Sequence, residues 1–403
     1  MSGVTARQVS ASVSATLFYV FGPVPLYFAA ARGFGGEDAA LSGFVAVFAT
    51  AGVFTAALSW WFRQPLAVGW SLPGLLFIVA SSQEYSMNEI AGASLIASLA
   101  VLALALVGAI DRVERAIPAE VAMAVLAGSA LALCVAPFSA LGESPLVVAP
   151  TIVGFLLARK FEAPWFPAVA GAVALGLPAA LLFGPAPDLA APGALPPLHG
   201  VWPAFSIDAL IALVPPLTVF VLIGNTQGRA VLRAEGFDAP AKGVAVATGV
   251  MGGLHALFGA PPASMQRVAM AVLSGNEAGP HDGRWLAAAL AGVGCLLIAA
   301  LAVPLEAFTG SLDTAFVTTL IGLLLLKVLA DGLRKATESG SMAGPIAFCV
   351  AASSLALGGL TPEFWALALG CGVAWFERQK VSQRVPLSLP TASTHNPAHK
   401  TAA

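Results

Sequence analysis

Two stretches of the 403-residue sequence hold the residue types and spacing that could do chemistry. One is LHALFGAPPASMQRVAMAVLSG at 254–275, where Gly259, Pro261 and Pro262 interrupt an apolar run. The other is QPLAVGWSLPG at 64–74, followed by the helix-forming run LLFIVASS. A Gly/Pro interruption at membrane depth is tolerated only where the freed backbone is buried in protein or lines a cavity. Secondary transporters build substrate sites from such broken helices. In the earlier stretch Ser71 suits a helix N-cap, with Pro73 in the first turn. In the later one a helix is expected to start around Ala263–Ser264. Two helix N-termini facing each other would offer backbone N–H groups and partial positive charge, a ready anion site. Its donors would lie around Ser71, Leu72 and Gly74 on one side and Pro262, Ala263 and Ser264 on the other. Two Pro kinks in packed helices would leave the same pattern.

Arg267 sets the sign of the ligand. A charge at the bilayer centre costs about 2.5–3.5 kcal/mol on insertion scales, so it needs a partner. All 21 Asp and Glu residues fall in loops or near the ends of apolar segments, which leaves the substrate as the counter-ion. Guanidinium and carboxylate match bidentately, and an ion pair at ~4 Å is worth roughly 4 kcal/mol at intermediate dielectric. Helical side chains lean toward the helix N-terminus, so Arg267 is expected to reach back toward the break. An Arg satisfied by backbone carbonyls, or lying in a cytoplasmic water funnel, is the competing reading.

Other residues are weaker candidates. Asn225, Thr226 and Gln227 form a polar cluster that either lines the site or ends a helix. Gly22-Pro23-Val24-Pro25 breaks the first apolar run. Phe21 and Tyr27 beside it, with Trp70, could hold a planar ring or simply pack. His255 could couple protons or be a hydrogen-bonded packing residue.

These candidates need a membrane scaffold to position them, and the composition supplies one. Hydrophobic residues make up 58% and charged residues 10% of the chain, with a mean hydropathy of +0.87. Soluble domains carry about 25% charged residues, so this is an all-α polytopic membrane protein embedded in a lipid bilayer. A net charge of −2 argues against a nucleic-acid partner. Cys134, Cys295, Cys349 and Cys371 are isolated in apolar runs and show no disulfide or metal spacing. No cofactor or ATP-binding motif is visible, so a gradient must supply the energy. The first apolar run is long enough to be a span rather than a signal peptide. Residues 381–403 are polar and rich in Pro, Ser and Thr, as expected of a disordered cytoplasmic tail.

With about 20 residues per span, fourteen transmembrane segments are expected. They lie near 9–31, 40–62, 66–82, 91–110, 118–138, 145–159, 165–185, 206–226, 240–258, 260–275, 285–305, 312–331, 341–360 and 363–376. The third and tenth are too short to cross as plain helices, and are read as half extended, half helical. The sixth and fourteenth are also short enough to be partly re-entrant. With both termini cytoplasmic, all of the 19 Lys and Arg except Arg32 and Arg267 fall on the cytoplasmic side, as the positive-inside rule requires. Segments one to seven overlay segments eight to fourteen, placing QPLAVGWSLPG (64–74) opposite LFGAPPASMQR (257–267) and RAIPAEVAMAVLAG (115–128) near TGSLDTAFVTTLIG (309–322). Seven is odd, so the two repeats must be inverted in the membrane, the symmetry expected of a transporter. An intramembrane enzyme would need paired catalytic groups, whereas the segments offer one His and no acid away from their ends.

Several blocks resemble the benzoate transporter family (BenE type). These are GRAVLRAEGFDAP (228–240), FGAPPASMQRVAMAVLSGNEAGPHDGRW (258–285), QPLAVGWSLPG (64–74), DRVERAIPAEVAMAVLAG (111–128) and PLVVAPTIVGFLLARK (145–160). The likeness covers most of residues 9–380. It implies the seven-plus-seven inverted-repeat fold shared with nucleobase–ascorbate transporters and sulfate/bicarbonate permeases. On that pattern residues 1–110 and 206–305 form a core domain, and 111–205 and 306–380 a gate domain. A homodimer in the cell inner membrane is also implied. The implied activity is elevator-type symport of a benzoate-like aromatic carboxylate with protons. Two departures stand out. Gly259-Ala260-Pro261 replaces the family's Gly-Gly-His, and Arg267 stands where a small apolar residue is the pattern. A cation there is closer to the sulfate-permease relatives, which makes an inorganic-anion (bicarbonate, sulfate or chloride) exchanger the alternative. Nucleobase relatives use carboxylates in the eighth segment, where this chain has Asn225.

Overall fold

The computed structural model describes residues 4–116, 118–161, 168–184, 198–353, 355, 357 and 360–383. In addition, the side chains of residues 21, 29, 32–37, 114–116 and 378–383 lie outside the description. The expected tail lies outside it from residue 384 onward. Residues 381–383 still belong to the last helix.

Helices dominate, in the order α1 (Ala6–Phe21), α2 (Pro23–Phe62), α3 (Leu72–Ser81), α4 (Met87–Leu106), α5 (Ile110–Ala116), α6 (Ala119–Glu143), α7 (Pro145–Phe161) and α8 (Ala168–Phe183). After the stretch outside the description come α9 (Ile207–Ala234), α10 (Ala241–Ala256), α11 (Arg267–Ser274), α12 (Arg284–Ala300), α13 (Ala302–Ser311), α14 (Thr314–Glu338), α15 (Ala343–Ala351) and α16 (Pro362–Gln383). Among the described residues, seven helices are long and apolar enough to cross a bilayer. The loop expected between 31 and 40 is not seen. Instead the chain breaks at Gly22, and α2 starts at Pro23, where a missing N–H does no harm.

Two strands, β1 (Val68–Trp70) and β2 (Ala263–Met265), pair antiparallel with Val68 opposite Met265, Gly69 opposite Ser264 and Trp70 opposite Ala263. They precede the short helices α3 and α11. At 10 residues, α3 is about 15 Å long, roughly half the ~30 Å of bilayer hydrocarbon.

The helices fall into two packing groups. In one, α6 packs on α14 and α15, α7 on α8 and α14, and α15 on α16. In the other, α2 packs on α12, α4 on α9 and α10, and α1 on α12. An aromatic stack of Phe28, Phe44 and Phe48 fills the interior of this second group, with Phe28 and Phe44 at 4.3 Å between ring centres.

Candidate functional site

The strand pair solves the backbone problem that the Gly/Pro breaks create. Outside the ladder, the Ser71 N–H donates to the Pro262 carbonyl at 2.7 Å and the Gln266 N–H to the Ala67 carbonyl at 2.9 Å. Side chains cover the remaining edges. Thr55 Oγ1 both donates to the Val68 carbonyl and accepts from its N–H, each at 3.1 Å. The Met265 N–H donates to Asn225 Oδ1 at 3.0 Å, and Asn225 Nδ2 donates to Thr248 Oγ1 at 2.9 Å. Gln266 Nε2 donates to the Trp70 carbonyl. Every buried backbone group must be paired or pay for desolvation, so each break serves as the other's partner.

His255 belongs to the same construction. It is fully buried, with Nδ1 2.8 Å from the Pro261 carbonyl and Nε2 2.7 Å from Thr50 Oγ1. The carbonyl can only accept, so Nδ1 carries a hydrogen. Gly259 makes the turn out of α10 at φ +65°, a conformation that suits glycine.

This arrangement corrects the expected helix start. Residues 263–265 are strand, and α11 begins at Arg267. The two N-termini are also unequal as donors. In α3, Ser71 Oγ accepts from the Gly74 N–H at 3.2 Å and Pro73 has no N–H, so that end is largely used up. Among the described residues, no side chain caps α11. The N–H groups in its first turn are the more available of the two sets.

A cavity of about 560 Å³ lies against this end of α11, between the two packing groups. Trp70, Leu72, Gln227, Ser264 and Arg267 line it, as do Gln266, Arg159 and Lys327, whose role the sequence did not reveal. Its walls are otherwise apolar, with Phe18, Leu26 and Phe220 facing Met123, Leu126 and Phe155. Such side chains look like ordinary core in a sequence, and only their convergence marks them.

Other expected residues sit elsewhere. Tyr27 is buried behind Trp70, edge-on at 5.9 Å between ring centres, and does not reach the cavity. Asn225, Ser71, Gly74, Pro262, Ala263 and His255 hold the strand pair and its flanks and do not line the cavity. The side chain of Phe21 is outside the described residues.

Arg267 is not the isolated cation that was expected. Its Nη2 lies 3.8 Å from Asp331 Oδ2, and its Nη1 donates to Gln227 Oε1 at 3.4 Å. The twelfth segment, expected to end near 331, runs on as α14 to Glu338 and keeps Asp331 within the helix. Lys327, one turn earlier, shares the same carboxylate oxygen at 3.6 Å. The Arg267 side chain is 33% exposed. A long, partly solvated pair of this kind contributes at most about 1 kcal/mol, so a competing anion can displace it.

Comparison with known proteins fits this geometry. The family model described as "Benzoate membrane transport protein" (BenE) matches residues 3–376. The chain belongs to this family. As a member it is a multi-pass membrane transport protein and not an enzyme. Its relatives include inner membrane protein YdcO of Escherichia coli (strain K12), 29% identical over 87% of this chain and 90% of the relative. The benzoate membrane transport protein of Acinetobacter baylyi is 25% identical over 88% of this chain and 91% of its own length. The fold is shared with solved anion transporters. The transmembrane domain of the cyanobacterial bicarbonate transporter BicA aligns at a TM-score of 0.53 and 16% identity, covering 82% of this chain and 97% of that one. The murine Slc26a9 anion transporter in the inward-facing state aligns at 0.61 and 11%, covering 94% and 69%.

Proposed function

We propose that the protein is a secondary transporter of a small aromatic carboxylate, of which benzoate is the simplest. The observation that carries this reading is the cavity itself. Apolar walls from both helix groups surround one side of it, while the uncapped start of α11 and the Arg267 guanidinium occupy the other. An aromatic ring would lie between Trp70, Phe220 and Phe155. Its carboxylate would take the place of Asp331 on Arg267, with Gln227 and the first N–H groups of α11 as further donors.

In this reading the two strand–helix units are the third and tenth of fourteen segments in two inverted repeats. The group of α1–α4 and α9–α12 is the core, and α6–α8 with α14–α16 the gate. Because the cavity lies between them, movement of the core along the gate would carry the ligand across the membrane, with protons as the coupling ion. The segregation of Lys and Arg supports cytoplasmic termini in the inner membrane.

Uptake of labelled benzoate into proteoliposomes, with wild type compared against Arg267→Ala, tests the proposal. Unchanged uptake in the variant removes the anchor. Inhibition by bicarbonate, sulfate or chloride but not by aromatic acids would move the assignment to inorganic-anion exchange.

A further inference from the structure

Glu363, in the first turn of α16, is a carboxyl group that the cavity does not use. It is 3% exposed. Its Oε1 lies 3.2 Å from Ser129 Oγ of α6, and its Oε2 has no hydrogen-bond partner among the described residues. The N-cap of α16 is provided by Thr361, whose Oγ1 accepts from the Phe364 N–H. Capping therefore does not account for the acid.

The hydroxyl of Ser129 has a single hydrogen and two acceptors in reach, Glu363 Oε1 and the Val125 carbonyl at 3.1 Å. If Glu363 is ionised, that hydrogen can reach only one of them. The Thr361 hydroxyl and the Glu363 N–H also face the carboxylate, yet its Oε2 stays without a hydrogen bond among the described residues, away from water. If Glu363 is protonated on Oε1, the acid donates to Ser129 Oγ and the hydroxyl donates to Val125. Both donors are then used, and no buried charge remains.

The surroundings link this group to the contact between the two helix groups. The apolar cluster there joins Phe77, Ile78 and Tyr85 from one group to Val121, Val125 and Ala366 from the other. The helices packed on α16 bring few charges. On α6 they are Glu120 and Glu143 at its ends, on α9 Asp208, Arg229 and Arg233, and α15 has none. On α16 itself Glu377 is the other charged residue whose side chain is described. Among the described residues, the charge that acts on Glu363 across the contact is that of Glu84, exposed on the turn after α3. It is a like charge brought by the opposite group.

We infer that Glu363 is a proton-binding site on this contact, protonated while the two groups are closed there and ionised when they part. The proton comes from a hydronium ion in the adjoining water: one of its O–H bonds breaks, the Oε1–H bond forms, and a water molecule is left. No bond between heavy atoms of the protein changes. The opening of the contact rests on the transport reading above, whereas the protonated state of Glu363 does not.

Infrared difference spectroscopy of the reconstituted protein during acid–base cycling tests the site without any substrate. The carbonyl stretch of a buried, protonated carboxylic acid is expected in wild type and is expected to vanish in Glu363→Gln. Absence of the band from wild type, or its persistence in the variant, would overturn the inference. Ser129→Ala keeps the acid and removes its acceptor, so the band should move to higher frequency; an unmoved band counts against the proposed donor chain. It also serves if the Gln variant fails to fold.

Transport adds a second arm, corrected with protein-free vesicles. A gradient of one pH unit can drive about tenfold accumulation per coupled proton. Glu363→Gln should lose that accumulation of benzoate while keeping benzoate exchange between equal pools. Full gradient-driven accumulation in a folded Glu363→Gln protein overturns the inference. Failure of wild type to move benzoate overturns the substrate reading instead, and leaves the infrared result to decide this one.

Discussion

Arg267 of α11 faces Asp331 of α14 at 3.8 Å, across the boundary between the two helix groups. Lys327 already gives Asp331 a second cation at 3.6 Å. Losing Arg267 to an incoming carboxylate would therefore not leave Asp331 unpaired. In the proposed site, Asp331 would act as a replaceable counter-ion that keeps Arg267 in place at an apolar cavity.

If so, Asp331→Asn should bind benzoate more tightly, by up to about fivefold, the equivalent of a ~1 kcal/mol pair. Titration calorimetry on the purified protein would read this directly. Weaker binding would mean that Asp331 positions Arg267 and does not compete for it.

Arg267→Ala should weaken benzoate binding by about 10- to 100-fold, the range for one lost hydrogen bond to a charged group. Arg267→Lys should recover part of the loss, since an ammonium keeps the charge but not the bidentate fork. Equal affinities for the Ala and Lys variants would show that charge plays no part in binding.

Asn225→Ala should lower stability without touching the cavity walls. It strands the buried Met265 N–H and the Thr248 hydroxyl contact, at a cost of about 1–3 kcal/mol. Thermal unfolding in detergent should show a lower midpoint, and benzoate affinity in the folded fraction should change little.

Gly224→Ala tests how closely α9 approaches β2. A Cβ at this position would sit 2.8 Å from both Cβ and Oγ of Ser264, and such overpacking costs about 1–3 kcal/mol. Because Ser264 lines the cavity, binding should weaken along with stability. A variant with the melting temperature and affinity of wild type would contradict the close approach.

His255→Asn separates the roles open to this histidine. The side chain bridges the Pro261 carbonyl and Thr50, so the variant should lose stability. If His255 only holds the break, the pH profile of uptake should keep its shape. A profile that flattens in this variant, but not in Glu363→Gln, would assign the coupling proton to His255.

The sequence by itself determined the medium and the two places where the chain departs from helix. Charge scarcity requires a bilayer, and Gly259 with Pro261 and Pro262, like Pro65 with Pro73 at a helix start, disfavours an unbroken helix through either stretch. That the two breaks, expected to face each other, pair as strands lay beyond it, because strand register depends on two stretches nearly 200 residues apart meeting in space. That register put Ala263 and Ser264 into a strand and moved the helix start to Arg267. The counter-ion of Arg267 was hidden for a related reason. Asp331 sits at the polar end of an apolar run, and nothing along the chain reveals which helix it will face. Tertiary packing also separated Trp70, which reaches the cavity, from Tyr27, which lies behind it. Aromatic side chains a few residues from a break look alike until the neighbouring helices are in place.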